Sequence, residues 1–107
     1  GNTYDLQTTW SWTEIFPSVE NDDNLYSLLQ NYLQKNNISQ VKITHPFPWS
    51  EDFGHYKKVA PSLFFGLGSG LNQYALHHRN YDFPDSIIRV GAEFFCQFIM
   101  YLVSNSV

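Results

Sequence analysis

Cysteine occurs once in the 107-residue chain, at Cys96, so no disulfide can form within it. Nothing in that count calls for an oxidising compartment or excludes one, and a cytoplasmic setting is the expectation. Cys96 lies inside an apolar helical pattern, where the expected role is that of a small buried hydrophobe. Basic residues are scarce too: six Lys and Arg against ten Asp and Glu, a formal charge of -4. A nucleic-acid binder needs a basic stripe to neutralise phosphates, and none is present. The acidic balance gives no pull towards anionic lipid either. The longest apolar zone, residues 87–103, is broken by Arg89, Glu93 and Gln97. It falls short of the ~18 consecutive apolar residues of a bilayer span. Neither nucleic acid nor membrane is expected as a partner. Methionine is missing at the first position. The chain opens Gly1-Asn2-Thr3 and enters strand-like sequence at once, which reads as a cut inside a larger protein.

What the chain has is apolar and above all aromatic surface: 43% of residues are hydrophobic and 18% aromatic. That is material for one small core, and it excludes a disordered chain. Tyr4, Leu6, Thr8, Trp10 and Trp12 alternate with polar residues, the period-two pattern of a half-buried strand. Phe16-Pro17-Ser18 stops it and forms a plausible hinge. Asn21 is placed to cap a helix whose face carries Leu25, Leu28, Leu29, Tyr32 and Leu33 and which ends at Asn36-Asn37. Residues 41–44 read as a short strand. Ser50 is placed to cap a short helix through Lys58, and residues 63–67 read as a strand buried on both faces. Residues 71–84 form an irregular loop. Asp85 then caps a last helix with apolar positions Ile87, Ile88, Gly91, Phe94, Phe95, Phe98, Ile99 and Leu102. The expected class is α/β, in the order strand, helix, strand, helix, strand, loop, helix.

Each local motif has an ordinary reading beside a functional one. Gly66-Leu67-Gly68-Ser69-Gly70 follows a strand but fails the dinucleotide fingerprint, since Leu71 stands where the third glycine belongs. It is a turn, or a loop that exposes backbone amides. His77-His78 lies in a loop. Adjacent histidines point apart, so one could bind a metal but not both, and a zinc site needs three or four ligands. On local grounds an ordinary loop histidine is preferred. Glu51-Asp52 likewise reads first as charge at a helix N-terminus.

The combination is more specific than its parts. Pro48-Trp49-Ser50-Glu51-Asp52-Phe53-Gly54 is followed by Pro61-Ser62-Leu63-Phe64-Phe65-Gly66-Leu67-Gly68-Ser69-Gly70. Then come Leu76-His77-His78, Tyr81-Asp82-Phe83-Pro84-Asp85, and a helix with Gly91-Ala92. In this order and spacing, residues 48–100 resemble the zinc amidohydrolases of the aminoacylase/carboxypeptidase type, grouped as the M-twenty metallopeptidases. Residues 1–45 match more loosely. Two departures stand out: Trp49 replaces the glycine that commonly precedes "S-E-D-F", and Ser86 replaces a glutamate after Asp85.

The resemblance implies a catalytic α/β domain split in sequence by an inserted dimerisation, or lid, domain. Residues 1–16 would be the last strand of that insert or an added strand, and residues 17–107 the C-terminal portion of the catalytic domain. It implies two divalent metal ions, zinc by preference, and a metal-activated water that attacks the amide of an N-acyl amino acid or peptide. His77 would be the last metal ligand. Ser50 and Glu51 would border the substrate pocket, and Gly68 and Gly70 would present amides to a substrate carboxylate. The general base and the other ligands would lie outside these residues, so the chain alone is expected to be inactive and, with sheet edges unpaired, to form homo-oligomers. The rival reading is a non-catalytic interaction module that uses Trp10, Trp12 and the apolar helix faces.

Overall fold

The computed structural model describes residues 4–105. It contains helix α1 (Asp23–Lys35), a short 3-10 helix (Asp52–Lys58) and helix α2 (Ser86–Asn105), joined by irregular segments. Helix α1 starts at Asp22, whose carboxylate accepts from the Leu25 N–H at 2.9 Å and so satisfies one orphan donor of the first turn. Asp23 in the first turn and Lys35 in the last suit the helix dipole. The end is closed at Asn36, whose side-chain amide donates to Tyr32 O at 2.8 Å, and Asn37 turns the chain at φ +53°.

The spacing of Leu29, Tyr32 and Leu33 puts them on one stripe, and this stripe packs on Phe98 of α2 to make the buried core. Phe94, Tyr101 and Leu102 flank the seam, and Leu63 and Phe65 press in from the segment between the helices. Tyr32 is its centre, with ring centroids 5.3 Å from Phe98, 5.3 Å from Tyr101 and 5.8 Å from Phe94. Its hydroxyl donates to Gln97 Oε1 at 3.1 Å, so the polar tip of a buried ring finds its partner on the facing helix.

The α/β expectation is overturned: there is no strand among the described residues. The three segments read as strands are irregular. A strand is defined by ladder hydrogen bonds to a neighbour, and no ladder joins these segments among the described residues. The alternation at residues 4–12 still leaves its trace, since Trp10 and Trp12 meet edge to face at 6.1 Å. Four smaller expectations shift as well. The cap of α1 is Asp22, not Asn21, and the 3-10 helix is preceded by Glu51, not Ser50, with no side-chain cap bond. Cys96 is exposed, not buried. Finally, α2 is long and apolar enough by composition to cross a membrane, contrary to the run-length argument. Its apolar residues cover two faces, one against α1 and one bearing Ile88, Phe95 and Ile99, each more than half exposed.

The molecule is open. Its radius of gyration is 19.5 Å, against ~13 Å for a compact domain of about 100 residues. Its accessible surface is 9740 Å², whereas a compact monomer of this mass would expose roughly 6,200 Å².

The 3-10 helix is strapped to the chain before α1. His55 Nε2–H donates to Ile15 O at 3.0 Å, and Lys57 pairs with Glu20. Buried Gly54 lies against the Pro17 carbonyl: a Cβ there would collide with the carbonyl oxygen and come within 2.9 Å of its carbon. Next in sequence, Asn21 clasps the backbone of Phe64, donating to Phe64 O at 3.0 Å and accepting from Phe64 N–H at 2.7 Å. Asp22 N–H adds a bond to Ser62 O at 2.9 Å. These bonds fix the positions of the two segments that border the site below.

Candidate functional site

A cavity of about 570 Å³ opens between the segment before the 3-10 helix, the glycine loop, the 71–84 loop and the outer face of α2. Phe47, Trp49, Phe64, Leu67 and Leu76 supply apolar wall. Glu51 is the one ionisable carboxylate in its lining, with Ser69 and Tyr81 as hydroxyl-bearing neighbours. Gly91 makes room on α2, since a Cβ there would sit 3.2 Å from Leu67 Cδ2. Aromatic and apolar walls with a few polar groups are the usual make-up of a small-molecule site.

The sequence-derived site residues fall around this cavity unequally. Glu51 lines it. Ser50 is exposed at its edge and is not part of the lining. The glycine loop reaches it through Gly66, Leu67 and Ser69, while Gly68 and Gly70 lie outside the lining. Gly70 has φ +106°, a backbone state that L side chains rarely adopt, so its glycine is required by the turn itself. Gly68 has open space where a Cβ would go.

His77 follows the lining residue Leu76, and its imidazole lies 5.6 Å from the Trp49 ring. It has φ +71°, in the left-handed region that costs a non-glycine residue about 1 kcal/mol or more. The two histidines differ in what they have free. His78 stacks flat on Tyr74 at 4.5 Å, and its Nδ1 accepts from Asn80 N–H at 3.1 Å. His77 has no hydrogen bond among the described residues, so both ring nitrogens remain available. No group of three or more His, Cys, Asp or Glu able to hold a metal exists among the described residues. One imidazole donor is what this stretch can offer a metal; it cannot hold one unaided.

Sequence reasoning missed the aromatic wall. Phe47 stacks on Trp49 at 4.7 Å with 14° between planes and meets Phe64 edge-on at 6.1 Å. The signal was present in Phe47-Pro48-Trp49 directly ahead of the "S-E-D-F" stretch, but its contact with the loop at 77 is not local. A second, more open depression lies between Trp12, Phe16, Asp52 and His55 and brings no further site residue together.

Comparison with known proteins agrees with the motifs. The profile of Peptidase family M20/M25/M40 matches residues 3–101. A Synechocystis protein named "Probable hydrolase sll0100" is 30% identical over 96 residues, covering 83% of this chain and 24% of that protein. The chain thus spans about a quarter of the length of that relative. No solved structure matches. With the family profile covering nearly every residue, from the strand-like start through α2, this chain belongs to Peptidase family M20/M25/M40, a metallopeptidase family of hydrolases.

Proposed function

We propose that this chain is the C-terminal portion of a dinuclear metal-dependent hydrolase that cleaves amide bonds of N-acyl amino acids or peptides. His77 supplies one metal ligand. The observation that carries the reading is the position of His77. Its imidazole, which meets the Trp49 ring but makes no hydrogen bond among the described residues, adjoins a cavity lined by Glu51 and the glycine loop, within a chain matched to this family almost end to end. The strained backbone at His77 supports it further, since such strain persists where surrounding structure enforces a functional geometry.

The metals, zinc by preference, would polarise the amide carbonyl and activate a water for attack. This chain's own share is narrower. His77 offers one neutral nitrogen. Glu51 and the backbone amides of the glycine loop border the substrate, with Gly70 setting the turn that presents them. The apolar wall excludes water from that side of the cavity. Residues 1–16 are the end of the inserted lid domain or an added segment in this reading, and Phe16-Pro17-Ser18 is the hinge, against which the 3-10 helix packs through Gly54. The uncovered apolar surface and the open shape support a chain that completes its core against further polypeptide. Alone, it lacks the bridging carboxylate and the general base and is inactive.

The test is His77→Ala in the complete protein. Metal content should fall by one ion per subunit, and amide hydrolysis should drop by more than ~100-fold, the scale of losing a main interaction with the reacting centre. Unchanged metal stoichiometry and rate would refute the assignment.

A further inference from the structure

The cavity beside the glycine loop has two aromatic walls, and each is braced from behind. On one side Phe47 stacks on Trp49 at 4.7 Å and stands edge-on to Phe64 at 6.1 Å. Phe64 in turn leans on Phe53 at 5.0 Å, and its backbone is held by both bonds from Asn21. Phe47 also reaches the glycine loop, since a Cβ at Gly66 would sit 3.5 Å from Phe47 Cζ. On the other side Phe95 of α2 meets Phe65 at 5.6 Å, and Phe65 packs on the buried core. Walls fixed in this way lose little freedom when a ligand arrives.

The chemistry of the lining is one-sided. Glu51 is its one carboxylate, and no Lys, Arg or His is among the described residues that line it. An anionic group brought in would shed water, meet a like charge and find no cation. An uncharged apolar group meets no such penalty and gains by leaving water. Space is ample: the cavity holds about 570 Å³, several times the ~150 Å³ apolar void that takes up a benzene molecule.

We propose that this cavity takes an uncharged apolar group of ring size carried by the amide substrate, and that Glu51 turns acidic groups away from the same place. The proposal rests on the hydrolase reading above and deepens it by saying which amides of that class are preferred. Burying one such group is worth about 10- to 100-fold in kcat/KM over a substrate that lacks it.

The experiment measures kcat/KM of the complete holoenzyme on two panels. In one, a single amino acid carries an acetyl, phenylacetyl or succinyl group; in the other, a single acyl group is joined to alanine, phenylalanine or aspartate. The first panel reports a cavity that holds the acyl group, the second one that holds the side chain. In one panel the ring-bearing member should exceed the small one by about 10- to 100-fold, and the acidic member should fall below it. Ala92→Trp adds a ring to the lining from an exposed position on α2 and should cut the ring-to-small ratio at least about tenfold. Should it not fold, Ile88→Trp, at another exposed lining position, takes its place under the same criterion. Glu51→Gln should raise the acidic-to-small ratio about tenfold, because the like charge is gone. Saturation-transfer NMR with phenylacetamide reads the cavity without turnover, and the signal should be present in the parent and lost in Ala92→Trp. No hydrolysis of any member would refute the hydrolase reading and the substrate assignment with it. Hydrolysis without a ring preference in either panel leaves the hydrolase standing and overturns the role of the cavity. A ring preference, or a phenylacetamide signal, that survives in Ala92→Trp overturns it as well.

Discussion

Replacing Gly54 by alanine adds one methyl group to a place already filled by backbone. The new Cβ would strike the Pro17 carbonyl oxygen, lie 2.9 Å from its carbon and 3.1 Å from Ser18 O. A side chain could rotate away; a peptide group cannot. The chain on either side of it is also tied down, by His55 to Ile15 O and by Lys57 to Glu20. Overpacking of this kind typically costs ~1–3 kcal/mol. Alanine recovers up to about 1 kcal/mol through better helix propensity and a less flexible unfolded chain. The collision wins, and the net loss should be about 1–2 kcal/mol. With a urea slope of ~1–3 kcal/mol/M, the unfolding midpoint should fall by roughly 0.5–1 M. Limited proteolysis should also cut more readily near residues 14–18, because yielding means lifting the strap from the 3-10 helix. Gly68→Ala is the matched control. Nothing lies within 4 Å of a Cβ there, so its midpoint should move by less than the equivalent of ~0.5 kcal/mol. A Gly54→Ala protein as stable as the parent would refute the close approach.

Other outcomes follow from the same contacts. Lys57, by hydrogen bond and then by charge, lowers the Glu20 carboxyl below its ordinary 4.5. A depressed folded value means the contribution is present above that ordinary value and is lost as pH falls through the lower folded one. Glu20→Gln should therefore differ from the parent at neutral pH and converge with it below pH 4.5 in paired urea titrations, with added salt shrinking the difference. Asn21→Ala removes both bonds to Phe64 and should cost about 1–2 kcal/mol, read as a fall in urea midpoint. Asn21→Asp keeps only the acceptor and should fall between Asn21→Ala and the parent. Expressed by itself, the chain should sediment as a dimer or larger species, since its exposed apolar residues include Leu71, Ile88, Ile99 and Met100. A clean monomer at high concentration would contradict this.

What could be read from the residues depended on how far away each partner lay. Helix α1 was legible because its evidence is internal: the Leu29, Tyr32, Leu33 stripe, the acidic first turn and the asparagine end all lie within one helix length. Even so, Asn21 and Asp22 could each serve as the cap. The choice turned on Phe64, whose backbone claims Asn21. The three strand readings recognised apolar patterning correctly but assumed neighbours to pair with, and patterning cannot supply those. Cys96 followed a sound rule for a helix with one buried side and lies on the exposed side instead. At the site, Leu76-His77 and Glu51 were visible as local motifs. The indole beside His77 was not, because nothing in either stretch announces that the two meet.

The stretch from Trp49 to Lys57 faces two ways. One end supplies a wall and a carboxylate to the cavity; the other grips residues 15–20 through Gly54, His55 and Lys57. The gripping residues sit on a helix that begins directly after Glu51, with three residues per turn and a rise of ~2.0 Å for each. Losing or gaining one residue there would swing the far end through about a third of a turn, so neither set of contacts could be kept without sacrificing the other. Length in this stretch is therefore constrained more tightly than composition, and tinkering with the hinge grip should be felt as a change in the shape of the pocket.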